Sequence, residues 1–134
     1  MLIAWDQSYS VGVRQCDEQH QKLFSLLNGL HGAMSVGKGS SIIIPIVAEL
    51  HNYTKTHFST EEVLMQRTKY HALAAHRAEH QNFVKQVDQF QNHLENGRPV
   101  NTIEVMNFVR AWLSDHIQKS DRAYGPHLNA SGIS

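Results

Sequence analysis

A single cysteine, Cys16, stands in this chain of 134 residues, so no intramolecular disulfide can form; such sparing use of cysteine fits a reducing compartment, and a cytoplasmic location is expected. Long apolar runs are also missing. The most apolar stretch, residues 42–48, is short and is interrupted by Pro45, far from the ~20 consecutive apolar residues of a membrane span. The first residues, Met1-Leu2-Ile3-Ala4-Trp5-Asp6, offer neither the charged start nor the apolar stretch of a secretory leader. Neither sign of charge is in excess: Lys plus Arg and Asp plus Glu number 12 each, which leaves no electrostatic footprint for nucleic acid or an anionic membrane. No sequence repeat and no alternating, strand-like run is present, so the length fits one all-helical domain over residues 1–134.

What the chain has in quantity is histidine, ten in all. Imidazole is the commonest side-chain metal ligand, but composition cannot separate ligands from a histidine-rich surface; spacing can. Four segments carry helical periodicity. The first spans about residues 17–34, with Asp17 as its expected N-cap and Leu23, Leu26, Leu27 and Leu30 along one face. The second spans about 41–67, with Pro45 near its first turn, and the third about 71–94, with Phe83, Val87, Phe90 and Leu94 as its stripe. The fourth opens at Asn101, which can cap while Glu104 reaches back, and runs to about 118. Short breaker-rich joints (residues 36–41, 68–70 and 96–99) predict an antiparallel up-down-up-down four-helix bundle over about 17–118. An irregular arm, 1–16, precedes it, and a tail, about 119–134, follows, of which the last ten residues are expected to fray.

Ligand-type residues recur at the i, i+4 spacing of one helix face, His57 with Glu61 and His76 with His80; His116 and Asp121 are five apart, where the fourth helix is expected to end, and His20 stands on the first helix. In an antiparallel hairpin, residues equidistant from the turn lie at one height. The pairs His57/His80 and Glu61/His76 are symmetric about the same point, between Thr68 and Lys69. His80/His116 are symmetric about Arg98 and His76/Asp121 about the point between Arg98 and Pro99, and His20/His57 about the point between Lys38 and Gly39. Three turns, placed by unrelated residues, thus bring His20, His57, His80 and His116 to one level and Glu61, His76 and Asp121 to the next, about 5.4 Å along the axis. The inward faces of bundles are where metal sites are built. Five imidazoles and two carboxylates exceed the four ligands of one zinc and suit two ions bridged by the carboxylates. Donor softness admits iron, copper, nickel or zinc, and an octahedral oxygen-bridged pair favours iron or manganese.

The ordered set His20, His57-x3-Glu61, His76-x3-His80, His116-x4-Asp121 resembles the ligand set of the hemerythrin family, complete and in sequence order. The flanking text agrees: Trp5-x3-Tyr9-x-Val11-Gly12, Asp17-x-Gln19-His20, His57-Phe58-x2-Glu61-Glu62-x2-Met65, and Trp112-Leu113-x2-His116-Ile117. The likeness covers roughly residues 5–128 and is greatest to the single-domain bacterial members, the bacteriohemerythrins. It implies a non-haem di-iron centre with an oxo or hydroxo bridge. His76, His80 and His116 would fill one iron, His20 and His57 the other, and Glu61 and Asp121 would bridge, leaving the second iron a free position for O2. Cys16, Phe58, Trp112 and Leu113 are the residues expected to line the O2 pocket; Cys16 stands where relatives carry an aliphatic side chain.

Glu62 is expected to be a solvated charge, Tyr124 to hydrogen-bond near Asp121 or pack, and Trp5 and Tyr9 to hold the arm on the bundle. His31, His51, His71, His93 and His127 fall off both levels and are read as surface or packing residues. The implied function is reversible O2 binding for carriage, storage or delivery, by a monomer and not an enzyme, with an oxygen-consuming enzyme as a candidate recipient. A chain that starts with Met and shows no second domain agrees with that expectation. Two alternatives stand beside it: an O2 or redox sensor domain, and a di-iron enzyme acting on peroxide or nitric oxide.

Overall fold

The computed structural model describes residues 2–37 and 40–134, and among them no strand occurs. Four long helices form the bundle: α1 (Arg14–Ser35), α2 (Ser40–Arg67), α3 (Leu73–Glu95) and α4 (Thr102–His116). A fifth, α5 (Arg122–Ala130), follows a π-helical turn at Ile117–Asp121. The core is built from the expected stripes: Leu23, Leu27, Leu30, Phe83, Val87, Val105, Val109 and Leu113 are all buried. Of the helix joints, Lys38 and Gly39 lie outside the described residues. At the second, Lys69 adopts φ 58° and the Tyr70 amide donates to the Met65 carbonyl (2.9 Å), closing α2. At the third, Gly97 at φ 67° lets the Arg98 amide reach the His93 carbonyl (2.9 Å). These are the joints that the sequence predicts, and they set the heights of α2, α3 and α4.

Several expectations need correction. Asp17 is not the N-cap of α1. That helix starts three residues earlier, capped by Val13 without a side-chain bond, and Asp17 instead accepts from the Ser10 hydroxyl (2.6 Å) and the Val11 amide (2.9 Å), tying the arm to the helix. Asn101 does cap α4, accepting from the Glu104 amide at 3.1 Å. Pro45 stands past the first turn, inside α2. The tail does not fray: α5 buries Tyr124, Gly125 and Leu128. His127 Nε2 lies 2.7 Å from the Thr68 carbonyl, and the Asn129 amide donates to the Gly12 carbonyl (2.9 Å). Periodicity missed this helix because Gly125 and Pro126 read as breakers. Gly125 is there for closeness: a Cβ on it would lie 2.1 Å from the Val11 carbonyl oxygen.

The arm is held as expected. The Leu2 and Ile3 amides both donate to Asn28 Oδ1 (3.0 Å each), whose amide returns a bond to the Ile3 carbonyl (2.8 Å). Trp5, Tyr9 and Phe24 form an aromatic cluster over α1, with Tyr9 and Phe24 edge to face at 4.8 Å. Among the described residues no helix is long and apolar enough to cross a membrane.

Candidate metal centre

All seven residues singled out by spacing converge between the helices, and all are buried: His20, His57, Glu61, His76, His80, His116 and Asp121. Their donor atoms fall into two overlapping groups. Glu61, His76, His80, His116 and Asp121 each offer one ligand atom within 4.8 Å of the others, and so do His20, His57, Glu61 and Asp121. The two carboxylates belong to both groups. His76 and His116 Nε2 approach Asp121 Oδ1 at 2.8 and 3.1 Å, while His20 Nε2 lies 3.0 Å from Asp121 Oδ2. His57 and His80 Nε2 approach Glu61 Oε1 at 3.4 and 3.3 Å, and His20 Nε2 lies 3.5 Å from Glu61 Oε2.

His116 and Asp121 are five apart, a spacing that an ordinary α-helix would spread about 140° around its axis. The π-helical turn Ile117–Asp121 absorbs the extra residue and returns Asp121 to the face of His116. Instead of ending near Gln118, as its periodicity predicts, the helix bulges and continues into α5.

Several of these atoms have no partner. His20 Nε2, His57 Nε2, His76 Nε2, Glu61 Oε1 and both Asp121 oxygens are buried and make no hydrogen bond. Buried polar atoms without partners cost about 1–3 kcal/mol each, so six aimed into one volume fit a bound cation and are hard to reconcile with a packed core. The donor chemistry agrees, since imidazole and carboxylate together suit transition-metal ions.

The electrostatics keep the carboxylates anionic. Burial and the neighbouring Asp121 push Glu61 up, but His57, His20 and His80 outweigh them and hold it well below the usual range. Asp121 is lowered too: burial opposes, and His116, His20 and His76 prevail. The imidazoles differ from one another. Burial holds His57 neutral, lowered to about 4, whereas at His20 burial is outweighed by Asp121 and Glu61 and the ring is pushed up to about 9.

Outside the donors lies a layer that spacing did not predict. His57 Nδ1 meets Gln19 Oε1 at 2.6 Å, His80 Nδ1 meets Glu62 Oε2 at 2.8 Å, and His116 Nδ1 meets Glu79 Oε2 at 3.1 Å. Glu62 is therefore no free solvated charge: it is half-buried against His80, and its other oxygen accepts from Arg77 Nε at 3.0 Å. A readable signal did exist. Each anchor is the sequence neighbour of a donor on the preceding helix: Gln19 beside His20, Glu62 beside Glu61, Glu79 beside His80. Tyr124 donates to Glu61 Oε2 and not to Asp121.

Three of the four expected pocket residues, Phe58, Trp112 and Cys16, lie near donors. Phe58 stacks on His80 at 3.7 Å and stands 6.0 Å from His57; Trp112 stacks on His116 at 4.3 Å and on Phe83 at 4.2 Å. This aromatic wall faces the three-histidine group. Leu113 is buried in the core, and Cys16 is buried among Tyr124, Glu61 and Asp121; burial first and the charge of Glu61 next push its thiol up to about 12. Of the five histidines off the levels, His51 is buried against Gln91 (2.5 Å) and His127 meets a backbone carbonyl, as packing residues do.

Fold and site together define a class, the helical bundles that hold metal between facing helices. The profile of the hemerythrin HHE cation binding domain matches residues 11–128. The chain is 35% identical over 130 residues to a bacteriohemerythrin of Methylococcus capsulatus, covering 96% of this chain and 98% of that one. It is 30% identical over 129 residues to a bacteriohemerythrin of Stenotrophomonas maltophilia, covering 96% and 83%. A crystal structure of wild-type hemerythrin superposes with a TM-score of 0.90 at 35% identity, covering 96% of this chain and 98% of that one. The chain belongs to the hemerythrin family.

Proposed function

We propose that this chain binds O2 reversibly at a pair of iron ions, for carriage, storage or delivery, and that it is not an enzyme. One observation carries the reading: two overlapping donor groups share Glu61 and Asp121 and differ by one imidazole. His76, His80 and His116 would complete one ion; His20 and His57 would leave the other a free position. The chemistry such a pair supplies when bound is reversible two-electron reduction of O2, one electron from each ion.

The residues around the centre support binding without turnover. Phe58 and Trp112 lay apolar ring faces on His80 and His116, with Phe83 stacked behind Trp112, so the three-histidine side is walled by aromatic surface that offers no proton donor. Tyr124 donates its hydroxyl to Glu61 Oε2 and so holds the carboxylate with Oε1 free of hydrogen bonds. With five imidazoles and two carboxylates, the donor set carries less negative charge than the four-carboxylate sets of ferritin-like bundles, and it stabilises high oxidation states less. A cytoplasmic setting and an oxygen-consuming recipient belong to this reading.

Anaerobic loading of the metal-free protein with ferrous iron tests it. Two equivalents per chain are expected, falling to one in His20→Ala and to none held tightly in Asp121→Ala. A single equivalent in the unsubstituted protein would contradict it.

A further inference from the structure

The anchors on the outer nitrogens are not alike. His80 and His116 each donate Nδ1–H to a carboxylate, Glu62 at 2.8 Å and Glu79 at 3.1 Å. His57 meets a neutral amide oxygen, that of Gln19. The Gln19 amide nitrogen lies 3.4 Å from Thr60 Oγ1, which turns its oxygen to the ring. His20 Nδ1 is buried and has no partner. Carboxylates only accept, so in each anchored ring the proton sits on Nδ1 and the Nε2 lone pair faces the centre. The anionic anchors fall on the three-histidine group, and the neutral or missing ones on the two-histidine group.

An anionic acceptor on the outer nitrogen draws that proton toward itself and makes the inner nitrogen a stronger donor. Burial of both rings strengthens the effect, most at His80, because the Glu62 side chain is 24% exposed and that of Glu79 is 47% exposed. We propose that Glu62 and Glu79 are positioning residues which, through His80 and His116, bias the three-histidine side toward the ion of higher charge, and that Gln19 keeps the two-histidine side the weaker donor. This rests on the di-iron reading above. It goes beyond that reading by giving the two halves of the centre unequal preferences, set by three residues that are not ligands. The side left free for O2 is then the side less able to hold a ferric ion, which favours return of the electrons when O2 leaves.

The test compares Glu62→Gln, Glu79→Gln and Gln19→Glu with the parent. Each exchange keeps side-chain size and shape, and unfolding midpoints identify any variant that loses its fold. Cobalt(II) titration of the metal-free proteins reads donor strength without iron or O2. Weaker binding at the tighter site, by about tenfold, is expected in each Glu→Gln variant, and tighter binding at the weaker site in Gln19→Glu. In the iron-loaded proteins, a tenfold change in ferric-over-ferrous preference reads as ~59 mV for one electron. The midpoint should rise in both Glu→Gln variants and fall in Gln19→Glu. Unchanged cobalt affinities together with unchanged potentials would overturn the proposal, as would shifts of one sign in all three variants. Failure of the parent to hold two irons would defeat the di-iron reading separately, and the cobalt titration would still decide the anchors.

Discussion

Cys16 shows how burial sets the chemistry of one residue. Its side chain is fully enclosed, and its thiol is pushed up to about 12 by burial and then by the charge of Glu61. Thiolate, not thiol, is the nucleophile, so native protein at pH 8 should react with a disulfide reagent orders of magnitude more slowly than denatured protein. The linked effect on stability has a definite sign. The thiol is raised above its ordinary value of 9.0, so its contribution is present below about 9 and is lost as pH rises from there toward 12. Tyr124, also raised by burial, acts in the same direction from its own value of 10.0. Urea unfolding at a series of pH values should show stability falling above pH 9, and less steeply in Cys16→Ala. A Cys16 that labels as fast in native as in denatured protein would contradict this account.

At the same scale, spacing in the sequence marks the seven inward residues, whereas their anchors show only as sequence neighbours of those residues, a signal that does not say which ring each one meets. A donor must project inward at a fixed height, so its spacing from the turns betrays it. An anchor contacts a ring on the next helix, and whether Glu62 reaches His80 depends on the rotation of α2 against α3 and on a rotamer, neither of which spacing encodes. Glu62 therefore read as an ordinary helix charge.

Among the elements, the joint between α4 and α5 decides the site. A regular α-helix through residues 117–121 would carry Asp121 away from His116, and the π-helical turn prevents it. The spacing of five was visible in the sequence, but the bulge that makes it useful was not, because periodicity assumes one pitch throughout. For the same reason periodicity does not predict α5: Gly125 and Pro126 signal a break, while the contact that requires Gly125 is to Val11, more than a hundred residues away in sequence. The element is load-sensitive at that contact. Gly125→Ala puts a methyl against a backbone carbonyl that cannot rotate away, with an expected cost of about 1–3 kcal/mol. A lower urea midpoint with an unchanged slope is the expected result; a midpoint equal to the parent's would mean that α5 and the arm are not locked together.

Across the whole molecule, the fold was the most legible part, since four amphipathic stripes and three polar joints leave few arrangements besides an antiparallel bundle. The bundle draws the imidazoles and carboxylates that would cost stability separately into one volume, where a pair of cations would satisfy them together. The central claim is that this volume holds iron and takes up O2 reversibly. The most direct measurement is the visible absorption of anaerobically reduced, iron-loaded protein, recorded before O2 is added, after it is added and after it is removed. The account predicts a charge-transfer band that rises with O2 and disappears on deoxygenation over repeated cycles. A band that deoxygenation cannot remove, or no iron-dependent change on adding O2, would contradict it.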